Sequence, residues 1–237
     1  MTGLTPGACY PAAMRLQPAH SVQCLKASGP SRVWLIRRPG QALRVLKLWT
    51  LTPWLAIKLA LGIAQPQRQL RGARMLHEAG ILSPRVMRGM HLLWSGMAPV
   101  IGIELDCQPG ITALEAVEQS LRAPIGPRLA AECGRLVARL IDLRLFNRDL
   151  KLSNLIVAEH PDRAPMIWII DPVGVRRMRR PTLEAARMIE RLAIEPWERG
   201  IPVPRALWFS ALREALRGLT REDRRAVTSR LRAHRRR

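Results

Sequence analysis

Hydrophobic and polar positions keep two different rhythms along this chain. The first part carries short apolar runs at 22–26, 33–37 and 43–49, separated by "ASGPS" and "RPGQ". Gly and Pro stand there where turns demand them, which predicts three strands in an antiparallel meander. Two later stretches, "RVMRGMHLLW" and "APVIGIEL", would complete a five-stranded sheet. Between them and the meander, "QRQLRGARMLHEAGI" places Leu70, Ala73 and Leu76 at helical spacing, and Gly80 stops that helix.

Beyond residue 110 the period lengthens. "GITALEAVEQSLRA" opens a helix with Thr112 as N-cap and Glu115 three positions later, a capping box. In "PRLAAECGRLVARLIDLRL", Leu129, Cys133, Leu136, Leu140 and Leu143 recur at three- and four-residue steps, the stripe of an amphipathic helix. "NLIVA" and "MIWIID" flank the turn-rich "EHPDRA" and read as a β-hairpin, and the remainder is helical. Sheet first and helices second predicts an α+β protein of two lobes. Residues 21–106 would form a sheet lobe with one helix and 107–237 a mostly helical lobe. Residues 1–20, with Pro6, Gly7, Pro11 and Pro18, read as a loose lead-in.

Composition fits a globular chain: 48% of the 237 residues are apolar. The formal charge of +21 comes mostly from arginine, since only Lys26, Lys47, Lys58 and Lys151 are lysines. Such a field favours nucleic acid, anionic lipid headgroups or phosphorylated substrates, or reflects an arginine-rich bias alone. Cys9, Cys24, Cys107 and Cys133 show no metal-ligand spacing and read as buried free thiols in a reducing compartment. No secretory signal is visible at the start. The longest apolar run, residues 51–64, is interrupted by Lys58 and is short of the roughly 20 residues that span a bilayer. It reads as a segment packed on its own domain, with a membrane-interface helix as the alternative. The tryptophans read as core, with Trp49 and Trp54 as an alternative interfacial anchor.

One stretch carries chemistry. In "LFNRDLKLSNLIV" (145–157) an acid, a cation and an amide interrupt an apolar run: Asp149, Lys151 and Asn154. They fall in a polar loop between a helix and the hairpin, and the hairpin's second strand ends in Asp171. Two acids and an amide at the mouths of one hairpin are the oxygen donors that Mg²⁺ takes alongside phosphate and water. An acid held off the metal can accept a proton from an attacking hydroxyl, so the set suits phosphoryl transfer. The bland alternative is a capped loop in which Asp149 and Asn154 bond local backbone.

These residues carry a resemblance. "NRDLKLSN" resembles the catalytic loop of protein kinases, "IIDPVG" their metal-binding segment and "RVLK" their third strand, in the required order. About ten residues separate Asp171 from the next helix, leaving no room for a long activation segment. "RMLHEAGILSPR" and "RMIERL" look like the bacterial lipopolysaccharide core kinases that phosphorylate Kdo or heptose. The resemblance implies a bilobal protein-kinase-like fold that uses ATP and Mg²⁺. Asp149 would position or deprotonate the acceptor hydroxyl and Lys151 would steady the γ-phosphate. Asn154 and Asp171 would hold the metal, and Lys47 the α- and β-phosphates. Gly29 and Ser31, where the glycine-rich loop belongs, would contact phosphate. Residues 103–105, with Glu104, would form the hinge whose backbone reads adenine.

The implied acceptor is a sugar or lipid-linked sugar, handled in the cytoplasm, with peripheral contact to anionic membrane and no call for nucleic acid. Where the resemblance implies an acidic helix partner for Lys47, the chain has Gln69. The alternatives are therefore a degenerate kinase-like binding module with a basic surface for membrane or nucleic acid, or a kinase acting on protein or another small molecule.

Overall fold

A computed structural model of the protein describes residues 21–29, 31–95, 98–120, 126–160 and 163–234. The expected lead-in at 1–20 and the last three arginines lie outside them. The chain divides into two compact units. One comprises the described residues up to Gln67 together with Arg85–Cys107, the other Arg68–Pro84 and the described residues from Gln108 on.

The first unit is the meander and its completion. Strands β1 (Ser21–Ser28), β2 (Ser31–Arg37) and β3 (Arg44–Thr50) are followed by helix α1 (Pro53–Ala60), then by β4 (Val86–Ser95) and β5 (Ala98–Asp106). All pairings are antiparallel and the order is β1-β2-β3-β5-β4. Alternation gives the sheet two different faces. Ile36, Leu46, Leu48 and Val100 form a small core on one face, joined by Trp34 and Leu93. Lys47 belongs to the other face, opposite Val33 on β2 and Ile103 on β5.

The apolar run at 51–64 departs from expectation. It forms α1, capped by the Thr52 hydroxyl, which accepts a bond from the Leu55 amide (3.1 Å). No residue of α1 is fully buried: Leu55 and Leu59 are half-buried, while Trp54, Ile57 and Leu61 are exposed. Of the two candidate anchors, Trp49 is buried and Trp54 exposed.

The second unit opens with most of helix α2 (Gln65–Glu78). Then follow β6 (Ile111–Thr112), α3 (Ala113–Ser120), α4 (Gly126–Asp142), β7 (Leu145–Asn147), β8 (Leu155–His160), β9 (Arg163–Ile169) and β10 (Val175–Arg177). Helices α5 (Pro181–Glu198), α6 (Arg205–Ala215) and α7 (Arg221–His234) complete it. The capping box forms reciprocally: Glu115 N donates to the Thr112 hydroxyl (3.1 Å), and Thr112 N donates to the Glu115 carboxylate (2.8 Å). Leu129, Cys133, Val137 and Leu140 of α4 enter one continuous core with Leu150, Leu155, Ile169 and Met188. The segment after α2 belongs to this unit as well: Ile81 lies in that core, and the Leu82 carbonyl accepts a bond from Ile169 N (3.0 Å).

Candidate active site

Two separate strand pairings bring the predicted acids together. The β8–β9 hairpin pairs Leu155 with Ile169, and Ile170 N donates to the Asn154 carbonyl (3.0 Å). Asn154 and Asp171 therefore flank one mouth of the hairpin. The second pairing comes from two three-residue strands that the hydrophobic pattern does not reveal: β7 and β10 join Asn147 to Val175 and Leu145 to Arg177. A 3-10 turn over Pro172–Gly174 connects Asp171 to β10, and Arg148 N donates to the Gly174 carbonyl (3.2 Å). The segments that carry Asp171 and Asp149 are thus held by backbone hydrogen bonds. Gly174 lies close against the loop: a Cβ there would stand 3.0 Å from Asp149 N.

The expected helix end near Leu145 lies earlier. α4 stops at Asp142, Arg144 takes a left-handed conformation (φ 55°), and the chain turns directly into β7.

Inside the loop, hydrogen bonds converge on Asp149. Its amide donates to Asn147 Oδ1 (3.1 Å). Its carbonyl accepts from Lys151 N (2.9 Å) and from Asn154 Nδ2 (2.9 Å). Asn147 is fully buried, and its own amide donates to Met188 Sδ (3.4 Å), so it anchors the loop to the core. The Asp149 carboxylate accepts a bond from the exposed Arg148 guanidinium (Nη2, 3.1 Å). Lys151 is half-buried two residues further on.

Two supports lie outside the motif. Glu195 of α5 is buried and accepts both Ser153 N (2.8 Å) and Ser153 Oγ (2.5 Å), clamping the 3-10 turn that ends in Asn154. Its signal in the sequence is an acid on a buried stripe, since Met188, Leu192 and Glu195 share one face of α5. The second support is α2. Arg68 Nη2 donates to the Val173 carbonyl (3.2 Å), and Gly72 lets the helix lie against the backbone of Pro172, where a Cβ would fall 1.9 Å from the carbonyl oxygen. Gln69, on the same helix, is buried.

In the sheet unit, Lys47 is half-buried at the centre of β3, with buried Leu46 and Leu48 on either side along the strand. Gly29 lies in the turn after β1, and Ser31 opens β2. The Glu104 side chain has a structural use. Residues 103–105 form no hinge; they are interior to β5, with Glu104 paired to Leu46 on one side and Arg88 on the other. By alternation the Glu104 side chain takes the face opposite Lys47. There Arg38 holds it bidentately (2.6 and 3.1 Å) and Arg44 adds a bond (3.1 Å). Burial works against its charge, but the hydrogen bonds from Arg38 and Arg44 outweigh that and hold the carboxyl below its ordinary range. The Glu104 carboxylate is thus engaged as a strut of the sheet.

The donors at the hairpin mouth fit a hard divalent cation. Asn154 commits its amide nitrogen to the Asp149 carbonyl and so presents its oxygen; Asp171 supplies a carboxylate. One neutral and one charged oxygen suit Mg²⁺, which completes its shell with phosphate and water. Among the described residues, no cluster of three or more His, Cys, Asp or Glu could hold a metal.

No family model and no curated protein sequence matches the chain. Among solved structures it is similar to WaaP in complex with acyl carrier protein, with a TM-score of 0.60 and 16% identity, covering 90% of this chain and 86% of that one. It also aligns with the kinase domain of Mycobacterium tuberculosis PknI, in a mutant form, with a TM-score of 0.48 and 17% identity, covering 91% and 95%. At such identities the likeness is one of architecture, and it agrees with the antiparallel sheet unit and the mostly helical unit described above: the chain has a protein-kinase-like fold.

Proposed function

We propose that this protein is a kinase that transfers the γ-phosphoryl group of ATP, with Mg²⁺, to a sugar hydroxyl, and that the acceptor is a lipopolysaccharide core sugar. The observation that carries this reading is the convergence of Asp149, Asn154 and Asp171 through two independent strand pairings. Asn154 and Asp171 would hold Mg²⁺, which when bound offsets the charge of the phosphate oxygens.

Asp149 takes the proton of the acceptor hydroxyl as that oxygen bonds to the γ-phosphorus. The bond to the bridging oxygen breaks, and ADP leaves with the electron pair. The carbonyl bonds from Lys151 and Asn154 keep the base in place. Lys151 steadies the charge of the transferring group. Lys47 holds the α- and β-phosphates, with Gly29 and Ser31 contributing from the turn after β1.

A sugar acceptor is supported by the short link from Asp171 to α5, part of which β10 occupies. That leaves no long segment on which to lay a peptide. The likeness to WaaP points the same way. Cytoplasmic ATP supply fits this chemistry.

The test pairs two variants. Asp149→Ala should lower phosphate transfer to a lipopolysaccharide core oligosaccharide by about a hundredfold or more while keeping the rise in melting temperature on adding MgATP. Asp171→Ala should lose both. If neither variant changes either measurement, the site assignment is wrong.

A second reading rests on Gln69, an uncharged, buried residue where an acid is expected. A kinase-like binding module would bind polyanions in a salt-sensitive way and show no MgATP-dependent shift.

A further inference from the structure

Helix α1 has an apolar face that is largely exposed. Trp54, Ile57 and Leu61 recur at steps of three and four, on one side of the helix, and are 63%, 50% and 66% exposed. Ile63, just past the helix end, is 54% exposed. Strand β4 extends this surface: Met90, Leu92 and Trp94 alternate onto one face of an edge strand and are all exposed. The two groups share one end of the sheet. Leu51 N donates to the Pro99 carbonyl (2.9 Å), and Pro99 is the partner of Trp94. A contiguous exposed apolar surface of this kind marks an interaction site.

Charge decides the occupant. No acidic residue precedes Glu78 in the chain. The acids described in the sheet unit, Glu104 and Asp106, are engaged, the first by Arg38 and Arg44 and the second by Arg85 N (2.5 Å). Lys26, Arg32, Arg37 and Arg88 stand exposed on the same unit. Lys58 borders the apolar face of α1, its ammonium 5.0 Å from the centre of the Trp54 ring. An aromatic ring beside a lysine at the rim of an apolar face suits the headgroup level of a bilayer. A second copy of this chain would bring a surface of the same sign and be repelled.

We propose that α1 and the adjoining end of β4 dock this protein on an anionic phospholipid bilayer. Trp54, Ile57 and Leu61 enter the interface, and Lys58 lies at phosphate level. Among the described residues no helix is long and apolar enough to cross a membrane, so the contact is peripheral. It requires no phosphoryl transfer and stands apart from the kinase reading.

Co-sedimentation of the full chain with vesicles tests it, using phosphatidylcholine alone against an equimolar mixture with phosphatidylglycerol. Binding is expected to the mixed vesicles. The double variant Trp54→Ser, Ile57→Ser should weaken it by about tenfold or more, since each side chain removes apolar area from the contact. Lys58→Glu should weaken binding to mixed vesicles alone. These side chains are exposed or at the rim, so melting temperature and any MgATP-induced shift stay unchanged in the variants, which separates this test from that of the kinase site. The proposal is overturned if the wild-type chain stays in the supernatant, or if its binding survives the double variant. It is also overturned if the wild type is a dimer that the double variant makes monomeric while vesicles bind neither.

Discussion

The Glu195 carboxylate on α5 receives both the amide N–H and the hydroxyl of Ser153, one residue before Asn154. A single buried acid from a distant helix therefore sets the turn that carries Asn154. Replacing it with alanine leaves the Ser153 amide without its acceptor, at a cost of about 1–3 kcal/mol. Glu195→Ala should lower the rate of phosphate transfer at saturating ATP by about tenfold or more, with a smaller change in KM for the acceptor. Glu195→Gln, which keeps an acceptor oxygen, should fall between. Steady-state kinetics alongside thermal melts separate the two effects; equal losses in rate and stability with no rescue by glutamine would reduce Glu195 to a stability role.

Close backbone approach at Gly72 and Gly174 yields a graded expectation. A Cβ at Gly72 would collide with the Pro172 carbonyl oxygen at 1.9 Å, so Gly72→Ala must displace α2 or the turn after Asp171 and should cost more than about 2 kcal/mol. At Gly174 the nearest atom, Asp149 N, is 3.0 Å away. Gly174→Ala should cost about 1 kcal/mol or less in stability, yet reduce transfer disproportionately because the shift falls on Asp149. Gly89 has open space around it, and its alanine variant is the control in chemical denaturation.

Glu104 predicts a pH dependence. Its carboxyl is held below its ordinary range in the folded chain, so the folded state binds fewer protons than the unfolded state as pH falls through that range. The ion pair with Arg38 and Arg44 therefore contributes fully above the unfolded carboxylate pKa. That contribution is lost as pH drops towards the lower folded value. Glu104→Gln should cost roughly 2 kcal/mol near neutrality, below the figure for a fully buried pair because both arginines are partly solvated. In melts at stepped pH, the gap between wild type and variant should close on acidification; a constant gap would show that packing, not charge, is lost.

The thiols should separate by reactivity. Burial pushes Cys133 up to about 12, and burial with the neighbouring Asp106 raises Cys107. Alkylation of the native protein near pH 8, mapped by mass spectrometry, should leave Cys133 unmodified until denaturant is added. Cys24, half-buried on β1, should react before either.

Much of this architecture is legible in residue order because local rules govern it. Alternation and turn residues announce the meander, a capping box marks the start of α3, and the stripe on α4 is the face that enters the core. The spacing from Asp149 to Asn154, and the acid ending a strand at Asp171, also mark where to look for chemistry. Three features lie beyond such rules. The β7–β10 pairing joins three-residue strands too short to show any period, yet it brings Asp149 beside the turn after Asp171. Glu104 lies one position from the register of Lys47, and only pairing across the sheet reveals that this single step turns it to the opposite face and into the arginines. The apolar run at 51–64 promised a packed segment, but whether an apolar helix finds a partner depends on what the fold brings against it, and Trp54, Ile57 and Leu61 stay exposed. Sequence by itself determined most of the elements and marked the candidate site residues, because period, caps and turns act between near neighbours. Only tertiary structure decided which acids meet, which are consumed as struts and which apolar face stays open, because those outcomes depend on contacts between residues far apart in the chain.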